Sequence, residues 1–227
     1  MHKIIQNINK AFDQRIRLGI MYILMINFIG FIFVSFNCKE NDTKEVIFQN
    51  GDIIFQSSQS KQCEAVKIAT NSKFSHCGII FIEKGKTYVY EAVQPVKMTL
   101  LEDWISHGKE SKYVVQRIKN ANIILTKDVV AKMKSYGKSM NNKDYDLYFE
   151  WSDEKIYCSE LVWKIYKYGA NIELCKTKKL KDFNLNSQIV KNIMKERYGN
   201  KIPYNEAVVA PSQLYESEMV ETIFNNF

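Results

Sequence analysis

The chain has 227 residues, 46% of them hydrophobic and 13% aromatic, with only 9 Gly and 3 Pro. This composition excludes disordered, collagen-like and disulfide-knot classes and points to one globular domain. The formal net charge is +7, but four cations and one anion lie before residue 38, which leaves only +4 on the remainder. That is too mild and too dispersed for a nucleic-acid partner.

Leu18 to Phe36 (LGIMYILMINFIGFIFVSF) runs for 19 positions without a charge. A secretory apolar region is about 7 to 15 residues and a spanning helix needs roughly 20, so the length sits nearer a membrane anchor. Lys3, Lys10, Arg15 and Arg17 precede it, and the positive-inside rule sends residues after 38 outward. Cys38 and the polar stretch KENDTKE then give the layout of a lipoprotein, although Asn37 is larger than the residue such signals favour. A lipidated Cys38 and an uncleaved helix both stay open. Either way, residues 1–38 read as signal or anchor, 39–50 as a tether, and 51–227 as a domain on the exported side, periplasmic or at the cell surface, held to the membrane.

Within that domain, the turn at Asn50 and Gly51 leads into a strand from Asp52 to Gln56, and Ser60 to Thr70 has helical character. His76 to Ile82 and Thr87 to Val93 flank the polar loop EKGK and read as a β-hairpin. Leu100 to His107 reads as a short helix and Tyr113 to Ile118 as a strand. Thr126 caps a helix running to about Met140. Tyr157 to Tyr168 has strong helical spacing, with Gly169 in the place of a C-cap. A last helix spans about Ser187 to Arg197, and the tail closes with a turn at Pro211. This order implies an α+β domain with a largely antiparallel sheet packed on helices.

Five cysteines (38, 63, 77, 158, 175) and three histidines (2, 76, 107) are the stock of soft ligands and neutral-pH bases. No pair has CxxC or HExxH spacing, so no metal site or cofactor is expected. Cys158 opens the best helix, where the dipole and unpaired backbone N–H groups stabilise a thiolate. The same position also suits a buried cysteine on an apolar helix face. His76 and Cys77 are strand neighbours whose side chains face apart. Glu91 can touch His76 if the paired residue numbers of the hairpin sum to 167 or 169, but not 168. A surface glutamate and a satisfied core histidine are the plain alternatives. Together the three residues suit acyl transfer: Cys158 attacks as thiolate, His76 carries the proton, Glu91 orients the ring, and the Cys158 backbone N–H faces the oxyanion.

The segments GDIIFQ, FSHCGIIF, YVYEAV and YDLYFEWSDEKIYCSELVWKIY resemble the YiiX-like group of permuted papain-like cysteine hydrolases, relatives of the NlpC-type cell-wall amidases and peptidases. In that group the His strand precedes the Cys helix, as here. The resemblance covers about residues 50 to 170 and extends weakly to APSQLY near the end. It implies a permuted papain-like fold, with nucleophile Cys158, base His76 and third polar residue Glu91. Asp52, Trp151, Ser152, Asp153, Tyr157 and Glu160 lie in the same motifs and are expected to shape the substrate pocket. Cys77 departs from the small or aliphatic residue expected after the histidine, and by strand alternation it faces away from it.

The expectation is therefore a membrane-tethered, exported cysteine hydrolase acting through a thioester on a cell-wall peptide, an isopeptide, or an N-acyl or lipid-derived amide. Two alternatives use the same residues: an acyltransferase, and a non-catalytic binding module that keeps the pocket. Because Cys63, Cys77 and Cys175 are an odd remainder once Cys38 and Cys158 are set aside, no essential disulfide framework is expected.

Overall fold

The structure, a computed structural model, describes residues 46–227. The apolar run from Leu18 to Phe36, Cys38 and most of the expected tether lie outside the described residues. Among the described residues, no helix is long and apolar enough to cross a membrane.

Among the described residues, eight strands form two sheets. In chain order they are β1 (Ile53–Gln56), β2 (His76–Glu83), β3 (Lys86–Glu91), β4 (Lys97–Leu100), β5 (Tyr113–Ile118), β6 (Lys178–Lys179), β7 (Ala207–Val208) and β8 (Val220–Asn225). Strands β6 and β7 make a two-stranded ribbon, and the rest an antiparallel sheet in the order β4-β3-β2-β1-β5-β8. Strand β1 is buried along its whole length because both faces of the sheet are covered, which is why it reads as a short unbroken apolar run. On one face Ile53, Phe55, Ile79 and Phe81 share a core with Leu161, Val162 and Tyr166; on the other, Ile54, Ile80, Val89 and Val115 surround Trp104.

The expected helices begin where their caps predict. Ser60, Thr126 and Ser187 each accept the backbone N–H three residues on, opening helices Lys61–Thr70, Lys127–Ser139 and Gln188–Tyr198. The short helix near residue 100 is Leu101–Ser106. Two expectations change in detail. The hairpin closes on a tight two-residue turn at Lys84 and Gly85, both at positive φ, rather than on a four-residue loop. The helix from Cys158 is α-helical only to Lys164 and continues as a π-helical turn, Ile165–Gly169. Gly169 is thus not a left-handed C-cap. A Cβ there would lie 2.5 Å from Met133 Cα, so glycine lets the Lys127–Ser139 helix approach closely.

Strands β4, β6, β7 and β8 are additions to the expected elements. Strand β8 completes the sheet edge beside β5, where only a tail after the Pro211 turn was anticipated; that turn is a helix, Pro211–Tyr215. Asp52 departs from its expected place in the pocket. It sits just before β1, at the end opposite Gln56, and its buried carboxylate takes two hydrogen bonds from Arg117, at 2.7 and 2.8 Å, and one from the Gln49 N–H. Its work is to tie β1 to β5.

Candidate active site

His76 opens β2, and Gln56 is its partner across from it on β1. The β2–β3 register pairs Ile79 with Tyr90 and Ile80 with Val89, so paired numbers sum to 169. This is one of the two registers that place Glu91 on the same face as His76. His76 Nε2 lies 2.7 Å from Glu91 Oε2, and Thr99 of β4 donates to Glu91 Oε1 at 2.5 Å. Both members of the pair are buried, and Trp104 stacks on the imidazole with ring centroids 5.8 Å apart. The ring is therefore fixed on one edge by a carboxylate and on one face by an indole, leaving Nδ1 for another partner.

That partner is Cys158. Its helix packs across β2, which brings the sulfur close enough to the His76 ring for each to act on the other's charge. Two residues that are 82 positions apart in the chain thus share one buried contact. Cys77 also lies near the sulfur and helps to lower its pKa. The strand alternation holds, with Cys77 facing away from His76, but the opposite face is the one on which the Cys158 helix lies.

The electrostatics follow from these contacts. The Cys77 thiol, working against burial and together with His76, holds the Cys158 thiol well below its ordinary range. Burial disfavours charge on His76, yet Cys158 and Glu91 raise it to about 10. Burial likewise opposes ionisation of Glu91, but His76 and Thr99 keep its carboxyl below the usual value. Both shifts favour a thiolate facing an imidazolium over the neutral pair.

Two cavities meet at this pair and share Ser75 and Tyr145 in their walls. One, of about 80 Å³, ends on Cys158 and is lined by apolar groups such as Val66, Phe149, Leu180 and Val209. A neighbouring cavity of about 70 Å³ shares Val66, Ala69, Phe149, Leu180 and Leu185 with it and runs on between helices Lys61–Thr70 and Gln188–Tyr198. The other is a wide cleft on the His76 side, bordered by Gln56, Ser58, Gln62, Gln94 and Lys97. Tyr157 belongs to the apolar wall. Its hydroxyl accepts the Val209 N–H at 3.1 Å, while Ser159 donates to the Val209 carbonyl at 2.8 Å, so the start of the Cys158 helix clamps the segment that closes the cavity.

Trp151, Ser152 and Glu160 line neither cavity that reaches the pair, contrary to expectation. Glu160 is fully buried with Lys164 Nζ 2.8 Å from Oε1, and burial pushes its carboxyl up to about 8 despite that partner. Lys164 Nζ also donates to the Ser152 carbonyl and to Asp153, both at 2.7 Å, and lies over the Trp151 ring. These residues brace the loop before the helix against the helix itself. Tyr145, Thr99, Trp104 and Gln56 were not anticipated at the site. Thr99 and Trp104 carry no motif and reach it only through sheet pairing and packing.

Residues 47–224 match the model of a family described as permuted papain-like amidase enzymes, YaeF/YiiX, C92 family. The uncharacterized protein YiiX of Escherichia coli K12 is 42% identical over 175 residues, which span 77% of this chain and 85% of that protein. A crystal structure described as that of metalloprotein YiiX from Escherichia coli O157:H7 superposes with a TM-score of 0.76 at 41% identity, covering 79% of this chain and 98% of that one. With a histidine strand first, a cysteine helix last and a family match across the whole described domain, this chain belongs to the permuted papain-like amidases of the YaeF/YiiX family, a family of cysteine amidases and peptidases.

Proposed function

We propose that this chain hydrolyses an amide whose acyl part is a long apolar chain, through a thioester on Cys158. The observation that carries the reading is the apolar cavity that ends on the Cys158 sulfur and continues between two helices. A cell-wall peptide, rich in polar groups, would leave its amides without partners there. A hydrocarbon chain gains from every apolar contact.

In this reading the Cys158 thiolate attacks the carbonyl carbon and the Cys158 backbone N–H faces the developing oxyanion. The His76 imidazolium gives its proton to the leaving nitrogen as the carbon–nitrogen bond breaks. The amine departs through the polar cleft, and water entering the same way, deprotonated by His76, releases the acid and restores the thiolate. Glu91 keeps the ring oriented throughout. The apolar segment from Leu18 to Phe36, with or without acylation of Cys38, tethers the domain on the exported side, close to where lipid-derived amides reside.

The E. coli structure is described as a metalloprotein, but the donors here do not fit a bound metal. Among the described residues, no three His, Cys, Asp or Glu side chains are grouped to hold one, and Glu91 is already engaged by His76 and Thr99.

The test is to incubate the full-length protein with N-acyl amides of graded chain length and with cell-wall peptides, then weigh it. A long-chain acyl group on Cys158, absent in Cys158→Ala, is the expected result; His76→Ala should slow turnover by roughly two to four orders of magnitude. Acyl-enzyme from peptides alone would overturn the substrate class. No acyl-enzyme at all, with Cys158 labelled by a thiol reagent no faster than Cys63 or Cys175, would favour the binding module. The open cleft also admits an alcohol or amine as acyl acceptor, and products formed with added acceptors distinguish transfer from hydrolysis.

A further inference from the structure

The described domain is nearly neutral except for one stretch. Residues 173–206 hold eight cations against four anions, whereas the other described residues hold 18 against 17. Within that stretch Lys178 and Lys179 form β6, Lys181 follows them, and all three are exposed. Glu173 holds Lys176 at 2.8 Å, but among the described residues Lys178, Lys179 and Lys181 are in no ion pair. The surface beside them is apolar: the Tyr204 carbonyl accepts the Lys181 N–H at 3.0 Å, and Tyr204 is 49% exposed. Leu180, Phe183 and Leu185, from the same segment, line the apolar cavity that ends on Cys158. One strip of chain thus gives apolar side chains to the cavity and lysines to the solvent.

We propose that this lysine strip is a docking surface for the anionic phospholipid headgroups of a bilayer, and that docking sets the apolar cavity beside the hydrocarbon from which an acyl chain enters. The charge and the ribbon carry the docking; what the docking serves rests on the acyl-chain reading. A basic residue near an anionic leaflet gains about fivefold in binding. Lysine stems lie along apolar surface while their ammonium groups stay in the polar layer, and an exposed tyrosine suits the same interface. A water-soluble polyanion would match the charge, but it would leave Tyr204 and the apolar cavity on the same strip unused. The nine residues 37–45, which join the apolar run to the domain, span at most about 30 Å. A domain tethered by that run therefore stays within reach of the leaflet.

The experiment is a lysine footprint. Full-length protein is incorporated into vesicles of phosphatidylcholine, with or without phosphatidylglycerol, its lysines are acetylated with an amine-reactive reagent, and the peptides are weighed. On the anionic vesicles Lys178, Lys179, Lys181 and Lys201, three residues before Tyr204, should label about tenfold more slowly than on the neutral ones. Lys84 and Lys86, at the end of β2 away from His76, should label alike on both. Salt at about 1 M should abolish the difference, because the screening length falls to about 3 Å. In the variant that combines Lys178→Gln, Lys179→Gln and Lys181→Gln, Lys201 should label at its neutral-vesicle rate. Equal labelling of the strip on both vesicles, or protection shared equally by Lys84 and Lys86, would overturn the docking. Equal protection by double-stranded DNA in place of vesicles would overturn the lipid assignment. Labelling needs no turnover, so an absent footprint in a protein that still forms long-chain acyl-enzyme removes the docking alone, whereas a footprint in a protein acylated only by peptides removes the acyl-chain reading alone.

Discussion

His76 and Glu91 are diagonal neighbours rather than a facing pair. Continuing the register that sets Ile79 against Tyr90 puts Gly78 opposite Glu91, two residues along from the histidine on the same face. A Cβ on Gly78 would lie 2.3 Å from Val89 Cγ1 and 3.6 Å from Glu91 Cβ, in the space beside the carboxylate that glycine leaves free. The imidazole and carboxylate meet across that gap at 2.7 Å.

Replacing Glu91 with Gln keeps the shape and removes the charge. Without it, the hold on His76 near 10 weakens. The rate requires a thiolate and an imidazolium together, so the alkaline limb of the pH–rate profile should move to lower pH. A buried hydrogen bond to a charged group is worth about 1.5–3 kcal/mol, which corresponds to a loss of about ten- to a hundredfold in kcat/KM. A full pH profile of the variant measures both effects, and an unmoved alkaline limb would show that Glu91 does not set the imidazole.

The acyl-chain reading depends on the junction between the two apolar cavities. Ala69 lies on that junction, in the walls of both. Ala69→Phe should block the inner cavity and leave the thiol, His76 and Glu91 untouched. Short acyl amides should then turn over at close to wild-type rates, while each further methylene beyond the block loses its burial, about 0.8 kcal/mol apiece. Activity plotted against chain length should break in the variant and rise smoothly in the wild type. A uniform drop at all lengths would mean that the cavity does not hold the acyl chain.

Much of the arrangement was legible in the residues themselves. The two strand-like runs around EKGK marked the hairpin, and strand geometry limited a His76–Glu91 contact to particular registers without choosing among them. Ser60, Thr126 and Ser187 marked helix starts through their side-chain oxygens. What stayed hidden depends on contacts between distant segments. Nothing near Thr99 or Trp104 signals that they seat Glu91 and His76. For Cys77, alternation gave the direction correctly but not what lay on that side, because the face covered by the Cys158 helix is a tertiary fact. Glu160 and Asp52 look like site carboxylates in a motif, and only Lys164 and Arg117, brought up by folding, show that they are braces.

The Glu160–Lys164 pair should accordingly behave as structure. Lys164→Met leaves the Glu160 carboxyl, at 0% exposure, without its cationic partner; removing one member of a buried ion pair costs about 3–5 kcal/mol, and a carboxyl already pushed up to about 8 lowers that cost by taking up a proton. Glu160→Gln with Lys164→Met should recover much of that loss, since no buried charge remains. Denaturant midpoints of the single and double variants measure this. Folded Lys164→Met should still alkylate at Cys158 with its normal pH midpoint. A changed midpoint would bring the pair into the catalytic machinery.

The thiolate–imidazolium pair also shapes stability against pH. His76 is raised from 6.5 to about 10, so taken alone its contribution is complete below 6.5 and is lost as pH rises through 10. Cys158 is lowered from 9.0, so its contribution is complete above 9.0 and is lost as pH falls through its folded value. Where the folded thiol is ionised and the pH lies between 6.5 and 9.0, the folded pair holds one proton on the imidazole and the unfolded pair one on the thiol, so the two slopes cancel. Above 9.0 only the folded state keeps a proton, and stability falls; below 6.5 the unfolded state holds two, and stability falls there also. The difference in Tm between wild type and the His76→Gln, Cys158→Ala double variant should therefore be flat across that window and decline on both sides. In Cys158→Ala alone, the neighbouring thiolate no longer supports His76, and the plateau should give way to a slope that falls with pH from 6.5 upward. A difference curve that slopes through the window would mean that the folded pair does not hold a single proton there.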